Sequence, residues 1–409
     1  MQANNILSKI GKFNITGNGL YIISFLTYYF FSFMKLTTYT AFVSPSWITR
    51  ISYLIVLFLL LKIYFFDKLS IGWFIGNSCL ILLGVVVWRK TRQVDILMYI
   101  LLVLGAKHID FRAVINWFFK VGLIMFIFII ISSQIGVIKD LVYIRHGVAR
   151  HALGINYPTD FGAHTFYLIL AYAYLHFRKL NWKNYGCFII LGFAVLVITE
   201  ARLDFIAILL LIPIFMIAQR AYRGRHFYQN IASFYWMLPA ILAYVVMISV
   251  YFYHSSNHLF QRLDRLFSNR LNLSSIALQR YHVKLFGNYV LEHGYGGESG
   301  HQLFNSTGTG MKYFFIDSSY VRLFVIYGLI IALLVIAAMT VIALRSILMK
   351  DYCLAAVILM ISISCIIEQH LLNIAFNPFL IALLANGAFY VKNSKVLRSS
   401  RWNLIIWET

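Results

Sequence analysis

The stretch VINWFFKVGLIMFIFIIISSQIGVI, residues 114–138, is almost entirely apolar and contains a single charged side chain, that of Lys120. A helix of about 20 apolar residues crosses the roughly 30 Å hydrocarbon core of a bilayer, so this stretch predicts a membrane-spanning helix. Apolar runs of the same kind, separated by polar or charged breaks, recur along the chain. They predict about twelve spans, near residues 20–38, 51–66, 71–88, 94–105, 114–138, 162–177, 186–199, 203–219, 233–253, 320–344, 352–367 and 374–391.

The overall composition supports the same fold class. Hydrophobic residues make up 61% of the 409 residues, charged residues make up 12%, and the mean hydropathy is +0.77. A soluble domain has about 25% charged residues and roughly 45–50% apolar ones. The composition therefore excludes a soluble globular enzyme, a disordered chain and a fibrous repeat. We expect an all-α integral membrane protein in which residues 1–409 form a single polytopic membrane domain.

The distribution of basic residues predicts the orientation of the spans. The formal net charge is +21. This charge does not indicate nucleic-acid binding, because the chain has no basic runs that interleave with aromatic residues. Lys and Arg concentrate in cytoplasmic loops of membrane proteins. Basic residues at 178–183, 220–225 and 392–401 therefore predict a cytoplasmic side on which both termini lie. The basic residues at 89–92 conflict with this orientation, because the span count puts them outside.

With this orientation, the long segment 254–319 lies on the extracytoplasmic side. Connections longer than about 12–15 residues are usually functional or disordered. This one is rich in aromatic residues, so we expect it to contain short helices that pack against the membrane domain. The run from Ser274 to Leu291 has apolar residues at spacings compatible with such a helix.

Two short motifs place arginines on the predicted outer side. The first, RHGVARHALGINYPTDFG at 145–162, contains Arg145 and Arg150. The second, ITEARLDF at 198–205, joins two apolar spans and contains Arg202 between two carboxylates. A guanidinium group donates paired hydrogen bonds in a geometry that suits phosphate and pyrophosphate. Arginines that contact lipid headgroups, or that pair with carboxylates within the motif, are the structural alternatives.

Two further motifs lie at the end of the long segment and after it. The stretch EHGYGGESG, residues 292–300, is followed by FIDSSYVRLFVIYG at 315–328, in which Asp317 precedes a predicted helix. Asp317 is therefore a candidate for a helix N-cap as well as for a chemical role. The last motif, EQHLLNIAFNPFL at 368–380, carries polar side chains before a proline near a membrane face.

Neither a metal site nor a bound cofactor is predicted. The four cysteines lie in apolar runs without ligand spacing, and His293, Glu298 and His301 are separated by glycines. The chain also lacks a nucleotide-binding loop, the HExxH and GxSxG motifs, and the Asp-x-Asp pair of sugar-nucleotide transferases. An enzyme of this sequence would use a lipid-linked donor rather than a nucleotide-linked one.

Taken in order, these motifs resemble those of Wzy-type polysaccharide polymerases of the O-antigen ligase-like superfamily, across roughly residues 140–380. RHALGINYPTDFG resembles the family's Arg…Gly-Phe-x-His-Pro-Asn-x-x-Gly stretch, and ITEARLDF resembles its Thr-x-Ser-Arg motif. QRYHVKLFGNYVLEHGYGG is similar to an Arg-led segment that ends in a glycine-rich turn. FIDSSYVRLFVIYGLI is similar to the family's Asp-Asn-x-Tyr…Tyr-Gly-Leu segment, and NPFL matches a C-terminal Asn-Pro-Phe. This chain has Tyr157-Pro158-Thr159, Ala201-Arg202 and Asp317-Ser318 where the family often has His-Pro-Asn, Ser-Arg and Asp-Asn.

The resemblance implies a multi-pass glycosyltransferase of the cell membrane that needs neither metal nor cofactor. Its substrates would be undecaprenyl-pyrophosphate-linked oligosaccharide donor and acceptor, joined on the extracytoplasmic face into a capsular polysaccharide, exopolysaccharide or O-antigen chain. Membrane lipid and other polysaccharide-export proteins are further candidate partners. Arginines would bind the developing pyrophosphate charge, and a base would accept the proton of the acceptor hydroxyl. The pyrophosphate-binding candidates are Arg145, Arg150, Arg202, Arg280 and Arg322, and the candidate bases, which the sequence does not separate, are His151, His282 and Asp317.

Three other functions remain open. A lipid-linked oligosaccharide flippase would share the span count and the basic residues, but flippases usually show two related halves. A polysaccharide ligase of the same superfamily would transfer finished glycan to a different acceptor. A structural membrane protein would leave the outer arginines without an explanation.

Overall fold

The computed structural model describes residues 16–145, 147–305 and 313–390, and most of these residues are helical. The α-helices are Gly17–Met34, Pro45–Leu61, Ile71–Thr91, Asp95–Leu104, Phe111–Gln134, Pro158–Leu175, Trp182–Thr199, Arg202–Tyr222, His226–Ala232, Leu238–Tyr251, His258–Leu266, Arg270–Tyr281, Gly297–Asn305, Ser319–Arg322, Leu329–Leu348 and Cys353–Ser364. Short 3-10 turns lie at Thr38–Ala41, Phe177–Lys179, Tyr235–Met237, His370–Leu372 and Phe379–Leu383, and π-helical turns lie at Lys62–Phe66 and Leu323–Tyr327.

Seven helices within the described residues are long and apolar enough to cross a membrane. The protein is therefore an α-helical membrane protein, as the composition predicts. These helices are Thr49–Phe66, Ile71–Thr91, Phe111–Gln134, Trp182–Thr199, Arg202–Tyr222, His226–Tyr251 and Leu329–Leu348.

Polar side chains and prolines fix where several of these helices begin. Asp110 accepts a hydrogen bond from the backbone N–H of Arg112 and so caps Phe111–Gln134. Asn181 and Asn184 form a reciprocal capping box at the start of Trp182–Thr199. Pro158 occupies the first turn of its helix, where the missing N–H has no intrahelical partner to lose.

Two other apolar helices lie at the centre of the bundle. Pro158–Leu175 and Cys353–Ser364 are buried over nearly their whole length. Both pack against Arg202–Tyr222 and against each other. Their side chains face protein on all sides, and this central pair places Asp160 and the segment after Ser364 next to one another.

The structure differs from the sequence prediction in four of the twelve proposed spans. The predicted span 320–344 is interrupted by the π-helical turn Leu323–Tyr327, and in the predicted span 352–367 the helix Cys353–Ser364 has only 12 residues. Asp95–Leu104 is a helix of only 10 residues, shorter than the length that crosses a bilayer. In the predicted span 374–391, residues 374–390 contain a 3-10 turn instead of an α-helix. Pro378 cannot continue a helix, and Asn377 holds the break by donating to the Leu371 carbonyl and accepting from the Phe379 N–H. Non-helical backbone is tolerated at membrane depth only inside protein, and residues 374–382 are buried.

One end of the bundle collects basic residues, and we call it the basic end. It is defined by Lys107, Arg112, Arg178, Arg220 and Arg345 and by the chain segments around them. The Arg112 guanidinium lies 3.7 Å from the centre of the Tyr390 ring, and Arg178 lies over the same ring at 5.3 Å. Gln219 donates to the Phe177 carbonyl at 2.7 Å. These contacts place connections from distant parts of the sequence at the same end.

The opposite end, which we call the loop end, is formed by residues 139–145, 147–160, 199–204, 254–305 and 313–317. The basic residues near 90 also belong to it: Lys90 lies over the Phe286 ring at 5.3 Å and Arg92 over the Tyr289 ring at 4.7 Å. The basic residues at 89–92, which conflict with the predicted orientation, therefore lie at the same end as the long segment 254–319.

The loop end contains the two β-strands found in the described residues. Val142–Arg145 pairs antiparallel with Val148–His151, and Arg145 lies opposite Val148. The long segment contains the helices His258–Leu266, Arg270–Tyr281 and Gly297–Asn305. The predicted helical run from Ser274 to Leu291 ends early, since His282 has a φ of 54° and Gly287 a φ of 79°.

Candidate functional site

A cleft of about 410 Å³ opens at the loop end and brings together four of the segments singled out in the sequence. The motif that ends at residue 162, the glycine-rich stretch, the segment before Ser319 and the segment after Ile367 all contribute. The lining residues are Tyr157, Thr159, Asp160, Glu292, His293, Gly294, Tyr295, Gly296, Ser299, Gly300, Leu303, Tyr313, Phe315, Asp317, Glu368 and Gln369.

Arg270 connects two of the carboxylates that line the cleft. Its Nε atom lies 3.3 Å from Oδ2 of Asp317, and its Nη1 atom lies 3.1 Å from Oε1 of Glu368. Nη1 also donates to the carbonyl of Ile367. The guanidinium is about nine-tenths buried, so a carboxylate on each side offsets the cost of burying its charge.

Backbone contacts hold the two carboxylates side by side. The Ser319 N–H donates to the Glu368 carbonyl at 3.0 Å, and the Ser318 hydroxyl donates to the Cys365 carbonyl at 3.1 Å. The helix Ser319–Arg322 has Ser318, not Asp317, in the N-cap position. The Asp317 carboxylate is therefore not used to cap this helix and is directed to Arg270.

The electrostatic setting differs between the groups of this cluster. Burial raises the pKa of the Asp317 carboxyl above its ordinary value, and Arg270 opposes that shift without cancelling it. Burial also acts to raise the pKa of Glu368, but Arg270 and His370 outweigh it and hold that pKa below its ordinary value. Burial lowers the pKa of Arg270, but Asp317 and Glu368 more than compensate, so the guanidinium stays charged. Asp317 is thus the better proton acceptor of the two carboxylates that bind Arg270.

A buried histidine, His370, lies next to two carboxylates that line the cleft. His370 Nε2 lies 3.4 Å from Asp160 Oδ1 and 3.4 Å from Glu368 Oε2, and the residue is buried. Its ring stacks on Phe376 with a centroid distance of 3.7 Å, which fixes its position. Asp204, which is also buried, lies in the helix Arg202–Tyr222 and packs against Gly162. A Cβ at position 162 would lie 2.7 Å from Asp204 Oδ2, so only glycine allows this close approach.

A second buried ion pair closes another side of the cleft. Arg322 Nη1 lies 2.7 Å from Oε1 of Glu292 and donates to the Ile316 carbonyl at 3.0 Å. The Ile316 N–H in turn donates to the same Glu292 oxygen at 3.0 Å. Arg322 therefore ties the glycine-rich stretch to the segment that carries Asp317.

Aromatic rings form the upper wall of the cleft. Tyr295 and Tyr313 stack with a centroid distance of 4.3 Å, and Tyr157 and Phe315 also line the space. The Tyr143 hydroxyl donates to the Tyr295 carbonyl at 2.7 Å, which anchors this wall to the hairpin. Such rings offer apolar faces and, in tyrosine, a polar hydroxyl to a ligand.

The other predicted arginines lie around the cleft rather than in its lining. Arg150 is buried, donates to the Thr199 carbonyl at 2.8 Å and lies 5.8 Å from the centre of the Tyr157 ring. Arg202 is exposed and pairs with Glu200. Arg145 is exposed on the hairpin.

Arg280 is exposed and lies near the edge of the cleft at Phe314. Its guanidinium lies over the Phe314 ring at 5.0 Å. The Phe314 carbonyl accepts a hydrogen bond from the N–H of His293, a lining residue, at 2.8 Å. Arg280 therefore lies near the part of the cleft that His293 lines.

Of the three candidate bases, Asp317 is the one whose side chain lines the cleft. His151 Nδ1 lies 2.6 Å from Asp140 Oδ2 on the hairpin. His282 is exposed and lies in a separate groove with Tyr244 and Tyr251. The structure thus separates groups that the sequence could not.

The cleft and its ion pairs contain four charged residues that are not among the site residues predicted from the sequence: Arg270, Glu368, Asp160 and Glu292. Asp160 lies in the motif 145–162 and Glu368 in the motif 368–380. In both motifs, a carboxylate near the end of a predicted span is the feature that could have indicated a site. Arg270 is one of several arginines of the long segment and carries no local signal. Within the described ranges, no group of three or more His, Cys, Asp and Glu side chains is arranged to hold a metal ion.

No protein-family model, curated protein or solved structure matches this chain.

Proposed function

We propose that this protein is a Wzy-type polysaccharide polymerase of the cell membrane, which joins undecaprenyl-pyrophosphate-linked oligosaccharide repeat units. The observation that carries the proposal is the convergence of its separate sequence motifs on one cleft that combines carboxylates, aromatic walls and flanking arginines. Those are the groups that a glycosyl transfer from a lipid pyrophosphate requires.

Asp317 is the base in this proposal. Its carboxylate accepts the proton of an acceptor sugar hydroxyl while that oxygen attacks the anomeric carbon of the donor glycan. The bond between this carbon and the pyrophosphate oxygen breaks, and the lipid pyrophosphate leaves with the bonding electrons. A carboxylate whose pKa is raised by burial accepts a proton more readily than an ordinary one.

The arginines bind the leaving group. Arg150 lies near Tyr157 of the cleft and shares Glu200 with Arg202, and Arg145 lies on the hairpin that carries Arg150. Arg280 lies over Phe314, and Arg322 pairs with Glu292 at the wall of the cleft. Guanidinium groups that are already in place stabilise negative charge as it develops on the pyrophosphate. A lipid pyrophosphate is a good leaving group, so neither a metal ion nor a cofactor is part of the mechanism.

We also propose that the chain passes twelve times between the basic end and the loop end, with the loop end outside the cell. Three of these passages are made by the short helices Asp95–Leu104 and Cys353–Ser364 and by the segment 374–390, which lacks an α-helix. The basic end then lies in the cytoplasm, in line with the distribution of Lys and Arg in membrane proteins. The segment 254–319 and the cleft lie on the extracytoplasmic face. The basic residues at 89–92 are an exception to the charge rule, supported by their contacts with Phe286 and Tyr289.

The carrier lipids of a deletion strain test this function against its alternatives. For a polymerase, we expect lipid-linked single repeat units to accumulate, and the wild-type gene to restore polymer. Accumulated lipid-linked polymer would indicate a ligase instead. Repeat units trapped on the inner leaflet would indicate a flippase, and an unchanged lipid profile would reject all three activities.

A further inference from the structure

An apolar groove of about 500 Å³ lies apart from the cleft and extends along the membrane domain to the basic end. Its walls are formed by Ile71–Thr91, Asp95–Leu104, Leu329–Leu348 and residues 372–384. The helix Ile71–Thr91 is largely exposed, with only 17% of its most apolar window buried. The groove therefore opens toward the hydrocarbon of the bilayer, and its volume lies in the range of about 300–1,000 Å³ that is typical of ligand pockets.

Two glycines on one wall leave this groove open. Gly72 and Gly76 both line it, and a Cβ built at either position meets no atom within 4 Å. A larger side chain at position 76 would project into the groove without a clash in the protein. The groove is therefore a space that a single substitution can fill.

Two cationic side chains, those of Lys107 and Arg345, lie where the groove reaches the basic end. The Lys107 ammonium lies 4.8 Å from the centre of the Trp73 ring, and Arg345 Nη1 donates to the Leu383 carbonyl at 2.8 Å. Trp73 and Leu383 both line the groove. Among the residues that the structure describes, no carboxylate lies within 4.0 Å of either cation, whereas the nearby Lys62 is neutralised by Asp67 at 2.7 Å.

We propose that this groove binds one acyl chain of an anionic phospholipid, whose phosphate is held by Lys107 and Arg345 at the basic end. An apolar chain gains little by leaving other lipid chains for protein. Selectivity therefore comes from the headgroup, and basic pockets between membrane helices are known to bind anionic headgroups. The site is separate from the cleft and does not depend on the reaction proposed there.

Native mass spectrometry of the purified full-length protein tests the site. The probes are phosphatidylglycerol and phosphatidylcholine with identical acyl chains, added at equal concentration after delipidation. We expect wild type to retain one phosphatidylglycerol molecule with at least tenfold higher occupancy than phosphatidylcholine. Gly76→Leu should lower phosphatidylglycerol occupancy at least tenfold, whereas Gly186→Leu, at another helix position with open space, should leave it unchanged.

The headgroup contacts have their own test. Lys107→Gln combined with Arg345→Gln should remove the preference for phosphatidylglycerol over phosphatidylcholine, while Lys183→Gln, an exposed lysine at the basic end, should preserve it. Equal retention of both lipids by wild type would overturn the proposal, and so would wild-type occupancy in Gly76→Leu. Displacement of phosphatidylglycerol by undecaprenyl phosphate would show that the carrier lipid occupies the groove instead. If Gly76→Leu does not yield folded protein, Gly72→Leu is measured by the same criteria.

Discussion

The Nε atom of Arg270 lies 3.3 Å from the Oδ2 atom of Asp317, and this ion pair joins a helix of the long segment to the chain that re-enters the bundle. The same guanidinium binds Glu368 at 3.1 Å. Both carboxylates line the cleft. Arg270 therefore keeps two negative groups close together where a substrate would bind, and it leaves Asp317 as the one with the raised pKa.

Replacing Asp317 with asparagine separates its chemical role from a structural one. Asparagine keeps the size and hydrogen-bonding oxygen of the side chain, Ser318 holds the N-cap position, and Glu368 remains to neutralise Arg270. We expect Asp317→Asn to accumulate in the membrane at near-normal levels. Polymer formation should fall by about 100-fold or more, the usual contribution of a general base. Membrane levels and polymer are measured in the complemented deletion strain.

Glu298→Gln is the matched control for this loss of charge. Glu298 lies at the loop end and pairs with Lys139, but its side chain is exposed. We expect normal polymer from it. Normal polymer from Asp317→Asn itself would remove Asp317 as the base.

The exposed arginines near the cleft test pyrophosphate binding. Arg202 and Arg280 keep their side chains largely in solvent, so lysine at either position should not disturb folding. Lysine preserves the charge but loses the paired donors of the guanidinium. We expect Arg202→Lys and Arg280→Lys to lose most polymer while the amount of protein in the membrane holds.

Arg262→Lys, an exposed change on the helix His258–Leu266, should keep full activity. Arg150→Lys is a different case, because buried Arg150 donates to the Thr199 carbonyl, so we expect less protein as well as less polymer. Full polymer from both Arg202→Lys and Arg280→Lys would contradict the proposed binding of pyrophosphate.

Gly287 allows the long loop to approach the broken helix at 323–328 closely. It has a φ of 79°, and a Cβ at this position would lie 1.9 Å from the Ile326 carbonyl oxygen. Alanine would therefore meet both an unfavourable backbone conformation, which costs about 1–2 kcal/mol, and a clash with main chain that cannot move aside. We expect Gly287→Ala to abolish monodisperse protein, or to lower its thermal unfolding midpoint well below that of the control.

The control is Gly136→Ala, since Gly136 has a φ of 77° with no atom within 4 Å of a built Cβ. This variant has the unfavourable backbone conformation but no clash. It should therefore give only a small decrease in the thermal unfolding midpoint, measured by size exclusion after heating. Equal midpoints for the two variants would show that the approach of the loop to Ile326 is not tight.

Single-cysteine labelling in intact cells tests the topology. Lys90 and Glu298 are exposed at the loop end, whereas Lys183 and Arg223 are exposed at or near the basic end. We expect a membrane-impermeant maleimide to label cysteine at 90 and 298 in intact cells, and at 183 and 223 only after permeabilisation. The reverse pattern would show that the protein has the opposite orientation in the membrane. Protection of cysteine at 90 alone would place residues 89–92 on the cytoplasmic side. The background lacks the native Cys79, Cys187, Cys353 and Cys365.

The sequence could predict the class of fold because apolarity in runs near 20 residues is dictated by bilayer thickness. It could not predict the backbone within those runs. The described part of 374–391 is apolar enough for a span but forms a 3-10 turn around Asn377 and Pro378, and burial in protein makes this possible. Hydropathy reports where a segment is buried, not whether lipid or protein surrounds it.

The site was predictable in part for a related reason. Local motifs singled out Asp317, which lines the cleft, and the arginines near it as candidates, since charged residues at the ends of spans are unusual. The partner of Asp317 could not be predicted, because Arg270 reaches it only through the folding of the long segment. The N-cap alternative for Asp317 depended on where the helix begins, and the structure puts that start at Ser319.

The most direct test of the central claim is polymer formation by the purified protein in proteoliposomes that contain undecaprenyl-pyrophosphate-linked repeat units. Electrophoresis of the released glycan measures the chain length. We predict a ladder of multiple repeat units from the wild-type protein, unchanged by a metal chelator, and only single units from Asp317→Asn. Repeat units that stay single with well-folded wild-type protein, supplied on the face where the loop end lies, would contradict the account.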